Sequence, residues 1–269
     1  MLVDESKCVG CGNCVPVCTM GVISIQNGLA AINQDECVEC STCYRVLMRE
    51  DRPPWLVRSI RSILSALHLT YDAPFGVCPT SALVKPELTW PRMVRRAFSD
   101  VLEPHASTGI PGRGTEEIKT NDVTGRLQEG DAGFVVELGR PGIGARFRDI
   151  EKFAMALAPL GAEFEGKNPV TSLMTDPMTG KVQDDILDEK VMSAIIEFKV
   201  SQDKVPAILS RIEELGGEID TVACIGIGAR CDSGRIPYEE AVRAGGLTLS
   251  VNGKTNLGLG RVVPKEASR

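Results

Sequence analysis

Cys8-Val9-Gly10-Cys11-Gly12-Asn13-Cys14-Val15-Pro16-Val17-Cys18 and Cys37-Val38-Glu39-Cys40-Ser41-Thr42-Cys43 are two versions of one phrase. The first reads C-x2-C-x2-C-x3-C, the second repeats the C-x2-C-x2-C half, and a late Cys78-Pro79 closes the set. Thiolates are soft anionic ligands that suit iron, and three cysteines at two-residue gaps let one loop wrap three corners of a cubane. The fourth corner is then left for a remote cysteine. The pattern predicts a swap of fourth ligands: Cys8, Cys11, Cys14 and Cys78 on one [4Fe–4S] cluster, and Cys18, Cys37, Cys40 and Cys43 on a second. Two such clusters make a relay for single electrons.

Rival chemistries fit less well. Zinc ribbons use paired C-x2-C knuckles with four ligands in all and have no use for a third cysteine two residues on. A disulfide scaffold belongs to short secreted chains. Here no charged-then-apolar leader stands at the start, and the cysteines lie too close in sequence to pair locally. Thiols that carry clusters imply a reducing interior, so the expected setting is cytoplasmic, in an anaerobic or oxygen-shielded metabolism.

Around the cysteines the chain resembles a bacterial two-cluster ferredoxin, over about residues 1–48 and 74–86. Val22-Ile23-Ser24-Ile25 and Gly28-Leu29-Ala30-Ala31-Ile32 flank Asn27-Gly28, a type I′ hairpin signal that such a fold expects. Two departures stand out. Thr19 follows Cys18 where the family usually has proline, and the gap from Cys43 to Cys78 far exceeds the three residues of the first half. Cys78-Pro79-Thr80-Ser81-Ala82-Leu83 matches the family's closing segment, which points to an insertion at about 46–73. Within it Trp55, Leu56, Ile60, Ile63, Leu64 and Leu67 recur at helical spacing after Pro53-Pro54, with Arg58 and Arg61 on another face. Such a helix either packs its apolar face beside a cluster and shields it from water, or docks a partner or a membrane surface. It is too short and too charged to span a bilayer.

Composition bounds the remainder. A chain of 269 residues with 43% hydrophobic content can hold two or three domains. A net charge of −6 and only two Trp, three Tyr and seven Phe argue against nucleic acid as a partner. No G-x-G-x-x-G opens a helix with an acidic residue about twenty further on, and no G-x4-G-K-[ST] occurs, so a nucleotide or flavin site has no support.

Beyond residue 86 a short helix is expected around Pro91–Arg96, then a stretch over 107–130 rich in Thr, Gly, Glu and Arg with no period, either a linker or a functional loop. From about Gly133 an alternation begins. Phe134–Leu138 reads as a strand. Phe147–Leu160 reads as a helix with Ile150, Phe153, Ala154, Leu157 and Leu160 on one stripe. A second strand is expected around Val170–Met174, a helical turn within Asp184–Val191, and a third strand at Ala194–Val200. A second helix carries Val205, Ile208, Leu209, Ile212 and Leu215, and a fourth strand covers Ile219–Ile227. Both helices bear apolar residues at the same offsets and end in glycine, the layout of a βαββαβ ferredoxin-like sandwich that resembles an ACT-type domain. A last hairpin is expected at 247–251 and 257–262. The fold class expected is therefore α+β: a two-cluster ferredoxin domain over 1–86, a linker or functional loop over 87–132, and an ACT-like sandwich over 133–269.

Glycine–arginine pairs recur through this second half, and Thr-Asn pairs precede two of them. Glycine admits a ligand close to the backbone, and arginine offers a planar fork to carboxylate or phosphate. Arg113, Arg126, Arg140, Arg146 and Arg261, with Thr120, Asn121, Thr255 and Asn256, form a candidate site for a small anionic substrate or a partner. The plain alternative is that the glycines serve turns and the arginines face solvent. Cys224 lies in an apolar strand and reads as a packed core thiol, while Cys231 between Arg230 and Asp232 is the better candidate for reactivity, set against a mere surface thiol. His105 is a candidate acid/base group beside the loop, set against a surface histidine.

Gly109-Ile110-Pro111-Gly112-Arg113-Gly114-Thr115-Glu116-Glu117, Lys119–Arg126, Glu137–Gly142 and Lys254–Arg261 are similar to a family labelled 6-hydroxynicotinate reductase-like ferredoxin proteins. That resemblance implies a component of a low-potential reductase acting on an electron-poor N-heteroaromatic ring, which accepts electrons singly with protons from a nearby acid. It identifies no catalytic residue. Three function classes follow: an electron-transfer component of a reductase working with redox partner proteins or other subunits, a redox-linked regulator whose ACT-like module senses a small ligand, and a cluster-carrying scaffold subunit. Self-association into a homo-oligomer stays open.

Overall fold

The computed structural model describes residues 1–69, 74–112, 114, 118, 125–140, 142–230 and 235–249. Asn27 and Gly28 both take left-handed backbone (φ 51° and 76°), the conformation a two-residue hairpin turn demands. The strands they join, β2 (Ile23–Gln26) and β3 (Leu29–Ile32), pair antiparallel from Gln26 opposite Leu29 to Ile23 opposite Ile32. A second short pair closes the N-terminal module, with β1 (Leu2–Val3) against β6 (Leu83–Val84). Helix α1 (Thr42–Val46) carries Cys43 inward. The chain then leaves through β4 (Met48–Arg49) and helix α2 (Pro54–Ala66), and returns in β5 (Val77–Cys78), parallel to β4. That excursion brings the late cysteine back to the first loop.

Helix α3 (Met93–Ala97) joins the two halves. Its Val94 is buried in the second core, while Arg92 just before the helix and Arg95 within it reach the second cysteine loop.

The second module is built on β7 (Asp131–Leu138), whose alternate residues Phe134, Val136 and Leu138 are fully buried. A short strand β8 (Ala145–Arg146) leads into α4 (Phe147–Leu157), where Phe147, Ile150, Phe153, Ala154 and Leu157 are all buried and Gly161 (φ 89°) follows the closing turn. The next strand of the sheet is β9 (Glu163–Phe164); β10 (Met174–Asp176) and β11 (Lys181–Val182) form a side hairpin, and β12 (Lys190–Val191) pairs antiparallel with β8. Then come β13 (Ala194–Ser201), α5 (Val205–Gly216), β14 (Ala223–Ala229) and α6 (Glu239–Ala244). The sheet runs β14-β7-β13-β9, and every neighbour is antiparallel. Helices α4 and α5 supply the apolar stripes that meet its buried side, where Phe134 and Phe198 stack at 5.0 Å. Each fully buried phenylalanine contributes about 1.5–3 kcal/mol.

Two expectations are corrected here. Val170–Met174 is not the second strand of the sheet: it is a 3-10 turn (Thr171–Leu173) running into β10, and the sheet position is filled by Glu163–Phe164. Cys224 is not a core thiol. It is exposed, because β14 is an edge strand and Cys224 stands opposite Glu137 on the side of the sheet away from the helices. The hairpin expected at 247–262 lies largely outside the described residues. No helix among the described residues is long and apolar enough to cross a membrane.

Candidate metal centre

The two cysteine loops share one backbone. In the first, Gly10 and Gly12 have φ of 63° and 85°, and in the second the corresponding Glu39 and Ser41 have φ of 58° and 57°. Only glycine fits the first of these, since a Cβ at Gly10 would fall 2.0 Å from the carbonyl oxygen of Gly28. The second loop holds the same path with side chains in place, at about 1–2 kcal/mol per left-handed residue. Glu39 is fully buried and accepts hydrogen bonds from Arg92 Nε and Nη2 (3.0 and 2.6 Å) and from the Met1 amino group, with Arg96 Nη2 at 3.7 Å. Burial alone would raise its pKa, but the Met1 ammonium and the Arg92 guanidinium outweigh it and hold the carboxyl below the usual range.

Cys8, Cys11, Cys14 and Cys78 line one recess of ≈ 370 Å³, walled by apolar groups such as Ala30 and Leu83. Cys18, Cys37, Cys40 and Cys43 line a second of ≈ 320 Å³, with Met20, Ile23 and Ile32. Each recess thus draws three cysteines from one loop and the fourth from the other half. Backbone N–H groups donate to the sulfurs: Ala30 to Cys8 at 3.3 Å, Val22 to Cys18 at 3.4 Å and Ala82 to Cys78 at 3.4 Å. The last two bonds are equivalent in the two halves, each reaching the residue four past the fourth cysteine. Thr19 Oγ1 lies 3.4 Å from Cys40 Sγ.

The recesses suit a group that brings positive charge. Burial first, and then the neighbouring Cys11, pushes Cys14 up to about 12; burial and then Cys40 does the same to Cys43. Cys11 and Cys37 are also raised by burial. As bare thiols these four groups resist ionisation, and a bound cation would favour their thiolate form near neutral pH. No three His, Cys, Asp or Glu among the described residues converge tightly enough for a single metal ion. Four thiolates around a cubane stand on four separate irons and need not meet at one point. The donor set fits an iron–sulfur cluster.

Helix α2 sits on the first loop, but not by the face its periodicity suggests. Arg58 Nη2 donates to the carbonyls of Glu5, Ser6 and Cys8 (3.3, 2.8 and 3.0 Å), and Arg61 Nη2 to Gly10 (3.2 Å). Val57 is the side chain of the helix that is buried, whereas Trp55, Ile63 and Leu67 are more than 60% exposed. The expected shield is therefore held down by its arginines, which find the carbonyls of a loop that has no helix of its own to satisfy them.

The second loop is held by the other module. Arg95 Nη1 donates to the carbonyls of Asp35 and Cys37 (2.6 and 3.0 Å), and its Nε pairs with Glu189. Arg146 Nη2 reaches Asp35 and Glu36 (2.8 and 2.6 Å), Lys190 pairs with Glu36, and Arg45 beside Cys43 pairs with buried Asp100.

The arginine set is not gathered into one pocket among the described residues. Arg146 serves the junction just described, Arg126 pairs with Glu165 (3.1 Å) and Glu197 (3.6 Å), and Arg140 lies 2.9 Å from Glu137. Arg113, Thr120, Asn121, Thr255, Asn256, Arg261 and Cys231 lie outside the described residues. His105 is buried rather than at the surface, edge-on to Phe98 at 4.6 Å, with its Nε2 3.3 Å from the Gly112 carbonyl. Burial lowers its pKa, which favours the neutral ring. Sequence reasoning missed Glu39, although a carboxylate standing where the first repeat has glycine was a visible signal. It also missed Arg92 and Arg95 as clamps, for which spacing gave no sign.

Residues 1–24 match the family model described as a 4Fe-4S binding domain. Over 41 residues the chain is 44% identical to the "Ferredoxin-like protein in vnf region" of Azotobacter chroococcum mcd 1, covering 15% of this chain and 63% of that protein. It is 42% identical over 40 residues to "Ferredoxin-1" of Rhodobacter capsulatus (15% and 62%), and 53% identical over 30 residues to "Ferredoxin-2" of Desulfomicrobium norvegicum (11% and 51%). The chain thus spans less than two thirds of the length of these relatives. No solved structure matches. The N-terminal part of the chain is a ferredoxin-type iron–sulfur domain. Its cofactor is of the 4Fe–4S kind.

Proposed function

We propose that the chain is an electron-transfer protein holding two [4Fe–4S] clusters, one on Cys8, Cys11, Cys14 and Cys78 and one on Cys18, Cys37, Cys40 and Cys43. The observation that carries this reading is the pair of cysteine-lined recesses, each completed by a cysteine from the opposite half. When bound, each cluster stores and releases a single electron. The protein's part is to ligate through eight thiolates, to aim the N–H groups of Val22, Ala30 and Ala82 at sulfur, and to keep water out with Ala30, Ile23, Ile32 and Leu83. The domain division goes with it: a cluster module over 1–86 interrupted by α2, a joint over 87–132 anchored by α3, and an ACT-like sandwich beyond.

We infer that this relay serves a low-potential reductase in a cytoplasmic, oxygen-shielded setting, passing electrons to a partner subunit or to a small substrate such as an N-heteroaromatic ring of the 6-hydroxynicotinate type. The clamp of Arg92, Arg95, Arg146 and Lys190 on the second loop supports a path towards the sandwich, since it fixes that loop against the module that would act on the electrons. The uncovered Trp55, Ile63 and Leu67 favour a second reading, a cluster-carrying subunit of a larger assembly. Anaerobic purification from the native source, with iron and sulfide analysis, tests both. About eight irons per chain are expected, and the identity of co-eluting subunits separates relay from scaffold. Four irons would sink the two-cluster assignment. Retention of all irons in Cys78→Ser would remove Cys78 from it.

A further inference from the structure

We propose that Thr80 is a potential-setting residue whose hydroxyl donates a hydrogen bond to the cluster held by Cys8, Cys11, Cys14 and Cys78; this deepens the two-cluster reading and rests on it. Thr80 is 3% exposed and lines the same recess as those four cysteines. Its Oγ1 is buried and finds no hydrogen-bond partner among the described residues. A buried hydroxyl left unpaired is costly, and native interiors rarely keep one. Apart from Asn13, whose side-chain amide donates to the carbonyls of Pro74 and Val77 at 2.9 Å, the rest of that recess is apolar side chains, backbone and thiols, so the hydroxyl's natural acceptor is the anionic sulfur of whatever the thiols hold. A cluster-bound sulfur carries no proton, so the hydroxyl must be the donor.

The other half of the molecule has no such group. Cys18-Thr19-Met20 corresponds to Cys78-Pro79-Thr80, so the position of Thr80 is taken there by Met20, which lines the second recess and offers no donor. Thr19 does bring a hydroxyl to Cys40, but Thr19 is exposed and water replaces its bond when it is removed. Reduction adds negative charge to the sulfurs. A buried donor therefore favours the reduced cluster and raises its potential, and the two clusters are made unequal by one side chain.

The test is an anaerobic redox titration followed by electron paramagnetic resonance on the full chain, comparing wild type, Thr80→Val and Thr80→Ser, with iron counted on every sample. Thr80→Val is nearly isosteric and should keep its irons. One couple should move to lower potential, changing its reduced-to-oxidised ratio at fixed poise by about three- to tenfold, or at most about 59 mV for a one-electron couple. The second couple should stay in place, and Thr80→Ser, which keeps the donor, should match wild type. Neither couple moving would assign the hydroxyl to a buried water and overturn the proposal; both moving together would overturn it as a general loosening of the module. Loss of iron in Thr80→Val would make Thr80 a packing residue instead, again against the proposal. The two-cluster reading fails by a separate sign, a wild-type chain with about four irons, and would take this inference with it.

Discussion

The two cysteine loops follow the same path for opposite reasons. In the first, Gly10 and Gly12 reach left-handed backbone at no steric cost, and the loop is then pinned from outside by arginines of an inserted helix. In the second, Glu39 and Ser41 adopt the same angles against their preference, and the strain is held by a buried carboxylate gripped by Arg92 and the Met1 amino group. The first loop is thus permissive and locally built. The second is enforced, and enforced largely by side chains from α3 and the second module. The difference makes the second loop the one that answers to the rest of the chain.

The contrast can be broken most directly at the first loop. Gly10→Ala places a Cβ 2.0 Å from the Gly28 carbonyl, so the loop must leave its path. A loss of more than about 3 kcal/mol is expected and, on the proposed two-cluster assignment, the Cys8–Cys11–Cys14 cluster should be lost before the other; iron counting after anaerobic reconstitution checks it, and a fully loaded variant would show that the two loops do not need a common backbone. At the second loop, Glu39→Ala leaves Arg92 and the Met1 amine without their buried anion. About 3–5 kcal/mol is expected, read as the denaturant midpoint of the loaded protein, with the cluster proposed at Cys37, Cys40 and Cys43 bleaching first. Equal sensitivity of both clusters would mean that Glu39 supports the whole module rather than its own loop.

Cysteine spacing is legible because ligand chemistry acts on sequence directly: two-residue gaps, the Asn27-Gly28 turn and the apolar stripes of α4 and α5 each state a local geometry. Glu163–Phe164 was not legible. Its two residues earn their place by pairing with Phe198 and Lys199, which no local period reports. The exposure of Cys224 is likewise a matter of topology, since a strand does not record whether it lies at an edge. Helix α2 shows the same limit in another form. Its period names the apolar side, but which side meets the protein is decided by the bare carbonyls of Glu5, Ser6, Cys8 and Gly10, and these attract Arg58 and Arg61.

That reversal gives a third, smaller effect. Arg58→Ala removes a charged donor from three carbonyls and should cost about 1–2 kcal/mol. Ile63→Ser, on the side an amphipathic reading would bury, should change stability by less than about 0.5 kcal/mol. Thermal unfolding of the two variants under argon ranks them. If Ile63→Ser proves the more damaging, the apolar side of α2 is covered in solution, and the first loop is not held by its arginines alone.

The smallest effect belongs to the junction that ties the second loop to the second module. A hydrogen bond from Arg146 lowers the Asp35 carboxyl, and one from Lys190 outweighs burial to lower Glu36. Carboxyls depressed in the folded state add stability that is complete above their unfolded values and is lost as pH falls through the folded ones. Both groups are partly or largely exposed, so the pairs contribute less than about 1 kcal/mol in total once solvent screening is allowed for. Arg146→Met should therefore lower the unfolding temperature slightly near neutral pH, and the gap to wild type should close as pH drops below the ordinary carboxylate range. Arg146 also donates to the Asp188 carbonyl at 2.6 Å, a bond that no acid removes. A gap that persists at low pH would assign the junction to that bond. The second loop would then be clamped by geometry, as the first is by Arg58 and Arg61, rather than by charge.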